Sequence, residues 1–193
     1  MKTILPFLFL FLLSFLNCIT HDSVLLNSSE YKSSTNLNKE TIAIRNIEII
    51  DYPDNQKAFF ESMLKANLYN ALTETETFQE VNYYKDSNTN AKVKIIDLKF
   101  KKYFNQLEVH PLYFPLATLT LTLYIWFGGP IVRYEADYTL EVNSYDSKGN
   151  KLKSATQNFK DSTNENIYSG FKARREIPSI RFNFIMDSIR SVS

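Results

Sequence analysis

The chain has 193 residues, 44% hydrophobic and 15% aromatic, with 15 Phe and 12 Tyr; such a chain buries a real core, which excludes wholesale disorder. Formal net charge is +1, and Lys2 is the only charge in residues 1–17, so the rest carries 21 Lys and Arg against 21 Asp and Glu. That balance argues against a nucleic-acid partner, which calls for a basic excess or stripe; the short clusters Lys99, Lys101, Lys102 and Lys172, Arg174, Arg175 read as solvated faces. The scarcity of Gly, 4 in all, argues against Gly-rich phosphate loops, and 1 Cys allows no intrachain disulfide.

At the N-terminus, Lys2 gives a short basic region and Ile4–Leu16 an apolar run broken only by Pro6 and Ser14. The run is shorter than the roughly 20 residues a spanning helix needs and fits a secretory signal over 1–17. Ser14-Phe15-Leu16-Asn17-Cys18 resembles a lipobox, the site read by the lipoprotein signal peptidase. It departs from the strict form at Phe15 and Asn17, and is similar to the looser lipobox of spirochaete lipoproteins. The resemblance implies a lipidated Cys18 that anchors the chain to a membrane. The alternative is an ordinary secreted protein with a free Cys18. Residues 18–38 read as the lipidated Cys and a polar tether, with Val24-Leu25-Leu26 as its one apolar spot.

Residues 39–193 read as a single α+β domain. Thr41–Ile50 is β-branched and apolar, a first strand ended by Pro53. Asp54 or Asn55 can cap a helix over roughly 55–73, with Phe60, Leu64, Leu68 and Leu72 on one face and Phe59, Met63 and Ala71 alongside. Phe78–Tyr84 suggests a second strand, Asp86–Asn90 a turn, and Ala91–Phe104 a third strand with a bulge expected at Ile95-Ile96.

Pro111–Phe127 carries no charge. Leu119, Leu121, Leu123, Ile125 and Phe127 alternate with Thr118, Thr120, Thr122, Tyr124 and Trp126, and Gly128-Gly129-Pro130 closes the run. Alternation favours a strand over a helix. Two readings stand for this apolar segment, 111–130: a strand or loop buried in the core, or a protruding element whose Leu119, Leu121, Leu123, Tyr124, Trp126 and Phe127 touch a membrane or an envelope protein partner. Either way it is expected to be covered.

Tyr134–Tyr145 alternates cleanly: Tyr134, Ala136, Tyr138, Leu140 and Val142 on one face, Glu135, Asp137, Thr139 and Glu141 on the other. Asp146–Asn150 makes a hairpin turn with Gly149 available for positive φ, Leu152–Phe159 returns as the partner strand, and Lys151 and Lys153 are placed near the acids. Thr163 or Asn164 can cap a helical segment carrying Ile167 and Phe171. Pro178 opens a second helix or kinks a continuous one, with Phe182, Ile185, Met186 and Ile189 on one face. The sum is a mostly antiparallel sheet of about four to five strands with helices on one face.

Leu119-Thr120-Leu121, Gly129-Pro130, Tyr134–Val142 and Asp146–Gly149 together resemble uncharacterised bacterial envelope lipoproteins. The strand–helix–strands opening at 41–100 is distantly similar to the small domains of curli-secretion lipoproteins and of lipoprotein activators of peptidoglycan synthases. These resemblances imply a fold and a location in the cell envelope, on the outer-membrane or periplasmic face or at the surface, but no activity.

Recognisable chemistry is sparse. His21 and His110 are isolated, and neither an HExxH pattern nor a G-x-S-x-G elbow occurs. An acylated Cys18 has no free thiolate to act as a nucleophile. No cofactor and no metal are expected. The sequence points to a non-enzymatic, lipid-anchored binding or assembly module, the alternative being an enzyme or enzyme subunit with an unrecognised site.

Overall fold

The computed structural model describes residues 26–29, 31, 40–84, 93–120, 123–169 and 172–193. Residues 1–17, Cys18, His21, Asp86–Asn90, Leu121 and Phe171, and the side chains of Lys172, Arg174 and Arg175, lie outside the described ones.

Five strands, β1 (Thr41–Ile49), β2 (Glu80–Tyr83), β3 (Val93–Val109), β4 (Val132–Tyr145) and β5 (Lys151–Glu165), form one sheet in the order β2-β1-β3-β4-β5. Among the described residues, four helices accompany them: α1 (Asp54–Glu74), α2 (Tyr113–Leu119), α3 (Leu123–Trp126) and α4 (Lys172–Arg190). The class is α+β and the sheet mostly antiparallel, as the sequence implied. At β1 the pairing is parallel on both sides, with β2 and with β3. Parallel neighbours need a crossover, and α1 supplies it between β1 and β2.

The chain divides into two compact units. The larger holds Ser23–Phe104, Ala136–Asp161 and Lys172–Ser193; the other includes Asn105–Glu135 and Ser162–Phe171.

In the larger unit α1 buries Leu64, Leu68, Ala71 and Leu72. Each leucine contributes on the order of 1.5–3 kcal/mol by leaving water. The apolar face is narrower than the sequence suggested, since Phe59 and Met63 are exposed. Neither Asp54 nor Asn55 caps this helix: Pro53 is the N-cap residue, no side-chain cap bond forms, and Asp54 sits in the first turn, where its charge suits the positive helix end.

A bulge does form in the β1–β3 ladder, but on β1. Ile44 pairs with Ile96 and Asn46 with Asp97, leaving Arg45 as the extra residue. A bulge frees backbone groups from the ladder, and the Lys65 ammonium of α1 donates to the Arg45 carbonyl at 2.7 Å. Burial there pushes the Lys65 ammonium below the ordinary lysine range. The Arg45 guanidinium forms a two-pronged pair with Asp97 and lies 4.3 Å from the Tyr145 ring centroid.

The core is unusually aromatic. Tyr52 stacks on Phe60, Phe60 meets Tyr103 edge-on, and Tyr103 tilts against Tyr138 at 5.1 Å between centroids. Tyr138 then stacks with Phe159 and Phe184. Arg181 of α4 is 1% exposed, donates from Nε to the Tyr138 hydroxyl at 3.3 Å and faces the Tyr103 and Tyr138 rings. Planar, weakly hydrated guanidinium suits such a sandwich better than an ammonium would. Because Phe60 of α1 and Arg181 of α4 both meet Tyr103, the two long helices cover the same face of β3.

β4 follows its alternation: Tyr134, Ala136, Tyr138, Leu140 and Val142 are buried. Two of its acids, Asp137 and Glu141, pair with β3 rather than with Lys151 and Lys153 of β5. Lys101 meets Glu141 at 2.8 Å and Lys102 meets Asp137 at 2.6 Å, while Lys99 meets Glu48 at 3.1 Å. β4 lies between β3 and β5, and the charge of Lys151 on β5 also acts on Glu141. At the hairpin, Asp146 accepts the backbone N–H groups of Lys148 and Asn150, and Gly149 takes φ +84°.

Two C-terminal expectations change. The residues offered as a helix cap, Thr163 and Asn164, continue β5, and Ile167 lies in a turn. Asn166 accounts for this: its side-chain oxygen accepts the N–H groups of Tyr168 and Ser169, both at 2.9 Å, an Asx turn in place of a helix start. Pro178 then lies inside one continuous α4, and Phe182, Ile185, Met186 and Ile189 are buried.

Candidate functional site: an uncharged aromatic tip

The expected strand over Pro111–Phe127 is not formed. Its described residues make α2 and α3 instead. Pro115 falls in the first turn of α2, where a missing N–H costs nothing because those N–H groups have no intrahelical partner. Thr120 joins the two helices by bonding both ways. Its hydroxyl donates to the Leu116 carbonyl at 2.7 Å and accepts the Tyr124 N–H at 3.0 Å. A threonine that satisfies itself locally no longer needs a neighbouring strand, so the β propensity of the Thr-Leu alternation is overridden.

The buried-strand reading of the segment is corrected by the exposure of its side chains. Leu119 is 81% exposed, Leu123 55%, Trp126 68% and Phe127 85%. Tyr124 is half-buried, and Leu121 lies outside the described residues. Tyr168, which sequence reasoning did not single out, belongs with them: it is exposed and its hydroxyl donates to the Trp126 carbonyl at 2.5 Å. The only signal for it was a tyrosine next to an Asx-turn asparagine, too common a pattern to act on.

The tip is braced from below. The His110 N–H donates to the Ile131 carbonyl at 2.8 Å, and the Ile131 N–H donates to the Glu165 carbonyl at 2.7 Å, tying its three chain segments together. The Asn166 amide donates to the Gly128 carbonyl at 3.0 Å, and the Tyr124 hydroxyl donates to the Pro130 carbonyl at 3.2 Å. Residues 111–132 contain no Asp, Glu, Lys or Arg. The nearest charged residues in sequence after the tip, Arg133 and Glu135, pair with each other.

Among the described residues, no group of three or more His, Cys, Asp or Glu side chains is placed to hold a metal ion. Among them, too, no helix is long and apolar enough to cross a membrane.

The fold is α+β, and the charge-free stretch 111–132 leaves Leu119, Leu123, Trp126 and Phe127 exposed. No protein-family model matches the chain, and no curated protein matches it in sequence. Solved structures similar to it include lipoprotein GNA1162 from Neisseria meningitidis, at 11% identity over 77% of this chain and 99% of that one, with a TM-score of 0.39. A minor lipoprotein from Acinetobacter baumannii matches at 10% identity over 81% and 89%, with a TM-score of 0.31. A neuraminyllactose-binding hemagglutinin homologue from Helicobacter pylori matches at 12% identity over 72% and 74%, also with a TM-score of 0.31. Similarity of this depth assigns neither family nor activity.

Proposed function

We propose that this chain is a lipid-anchored protein of the cell envelope, acting as a non-enzymatic binding or assembly module. The observation that carries the binding role is the exposed set Leu119, Leu123, Trp126 and Phe127 on a braced tip. Large apolar side chains clustered on a surface cost solubility unless something covers them, so their retention fits a contact surface. The anchoring role is supported by Cys18, which follows the apolar run Ile4–Leu16 after Asn17 in a lipobox-like setting. In this reading residues 1–17 are removed and Cys18 carries fatty chains. Each buried CH₂ contributes roughly 0.8 kcal/mol, and more than one chain makes the anchor stable.

Metabolic labelling with a palmitate analogue tests the anchoring reading. Wild type should take up label and fractionate with membranes, and Cys18→Ala should lose both together. An unlabelled wild type, or a labelled Cys18→Ala, defeats it.

A further inference from the structure

We infer that the tip formed by Leu119, Leu123, Trp126, Phe127 and Tyr168 docks into the interfacial layer of the lipid bilayer, giving the protein a second membrane contact besides its anchor.

The first argument is charge. Residues 111–132 carry no Asp, Glu, Lys or Arg, so no charge on this stretch has to leave water when it enters the interfacial layer. Trp and Tyr beside Leu and Phe is the composition that collects where headgroups meet acyl chains.

The second argument is hydrogen bonding. A surface entering lipid must satisfy its own backbone, because no water is there to do so. Several of the tip's described backbone groups are paired in this way by short local bonds: Thr120 N–H to Leu116 O at 3.0 Å, Phe127 N–H to Leu123 O at 3.0 Å, and Gly129 N–H to Tyr124 O at 2.9 Å. The hydroxyls of Thr120, Tyr124 and Tyr168 each donate to a carbonyl of the same tip. Groups already paired in this way offer little to a peptide backbone and lose little on entering lipid.

The third argument is reach. Asn27 donates its N–H to the Pro178 carbonyl at 3.3 Å, the Ser28 hydroxyl donates to Glu74 at 2.6 Å, and Tyr31 packs edge-on against Phe182. Asn27, Ser28 and Tyr31 are therefore seated on the larger unit. Whatever the conformation of the chain between Cys18 and Leu26, it spans at most roughly 30 Å when fully extended. A lipid on Cys18 holds the larger unit that close to the bilayer, and the tip, being on the same chain, meets the membrane at a raised effective concentration. The proximity rests on the lipid-anchored reading proposed above; the chemistry of the tip does not.

Trp126 is the only tryptophan of the chain and reports on the tip directly. The mature protein, purified from cells that process it, is mixed with phosphatidylcholine vesicles beside the variant Leu119→Ser/Leu123→Ser/Phe127→Ser. Flotation reads the anchor, and Trp126 emission reads the tip. All three substituted side chains are exposed, so the variant should keep the wild-type circular dichroism spectrum. The inference expects both proteins to float. Wild-type emission should shift to the blue, lose quenching by acrylamide and gain quenching by lipids brominated on their acyl chains. The variant should keep water-like emission. Wild type that floats with water-like Trp126 overturns the docking inference and leaves the anchor standing. Wild type that does not float defeats the anchor, and its Trp126 emission with vesicles present still decides for or against docking. A shift that requires an added envelope protein instead of vesicles also overturns the inference.

Discussion

The ring of Tyr124 occupies the space that a side chain on Gly129 would need. A Cβ on Gly129 would fall 2.4 Å from two of the ring carbons, closer than any real contact. The ring in turn fixes the tip, because its hydroxyl donates to the Pro130 carbonyl. Gly129→Ala should therefore displace Tyr124 and cost about 1–3 kcal/mol, the usual range for overpacking. Thermal unfolding and Trp126 emission should both change while far-UV circular dichroism keeps its sheet signal. Wild-type values for both would show that the tip is looser than this contact requires.

Arg181 joins α4 to the aromatic core through the Tyr138 hydroxyl and the faces of Tyr103 and Tyr138. Arg181→Ala should destabilise by about 2–5 kcal/mol, as truncating a large buried side chain and leaving the Tyr138 hydroxyl without this partner does. Arg181→Lys should not restore the loss, since an ammonium lacks the planar fork. Tyr138→Phe removes one hydroxyl and should cost about 1–3 kcal/mol. Urea denaturation measures all three, and a loss under 1 kcal/mol in Arg181→Ala would remove this contact from the list of core determinants.

Hydrogen bonds from Lys101 and then Asn143 hold the Glu141 carboxyl below its ordinary value of 4.5. A carboxylate depressed in the folded state adds stability above that ordinary value and loses it as pH falls through the folded one. Lys101→Met should thus be less stable than wild type at neutral pH, and the gap should narrow as the solution is acidified below 4.5. Because the pair lies near the surface, the gap should also shrink with added salt. A difference independent of pH would point to lost lysine packing instead.

Burial raises the Tyr31 hydroxyl above its ordinary value of 10.0. The neutral ring is the form that packs on Phe182, so seating of residues 26–31 should hold up to that value and weaken as pH rises through the raised one. Tyr31→Ala should weaken it at every pH. Limited proteolysis between residues 19 and 31 reads the seating: faster cleavage is expected in Tyr31→Ala, and equal cleavage rates would contradict the reach argument.

What the sequence disclosed followed from periodicity where one face is wet. β4 is legible residue by residue because Tyr138 and Leu140 are buried while Asp137 and Glu141 meet lysines. The leucines of α1 were legible for the same reason. The parallel pairing of β1 was not, because a strand buried beside two neighbours carries no mark of their direction. The tip misled most. Leu-Thr alternation has the period of a strand, but in Thr120 the hydroxyl takes up local helix bonds, a competition that period alone does not reveal. Leu119, Leu123, Trp126 and Phe127 could nonetheless be singled out from the sequence, since hydrophobicity without charge is visible in any conformation, and all four are exposed. Tyr168 was missed because it joins them only through the fold.

Anchoring by Cys18 is the claim on which location and tip docking by proximity both depend. Mass spectrometry of the N-terminal fragment of the protein purified from its own cells tests it most directly. The account predicts a fragment that starts at Cys18 and carries the added mass of fatty acyl chains. A fragment with an unmodified thiol, or one that still starts at Met1, contradicts it.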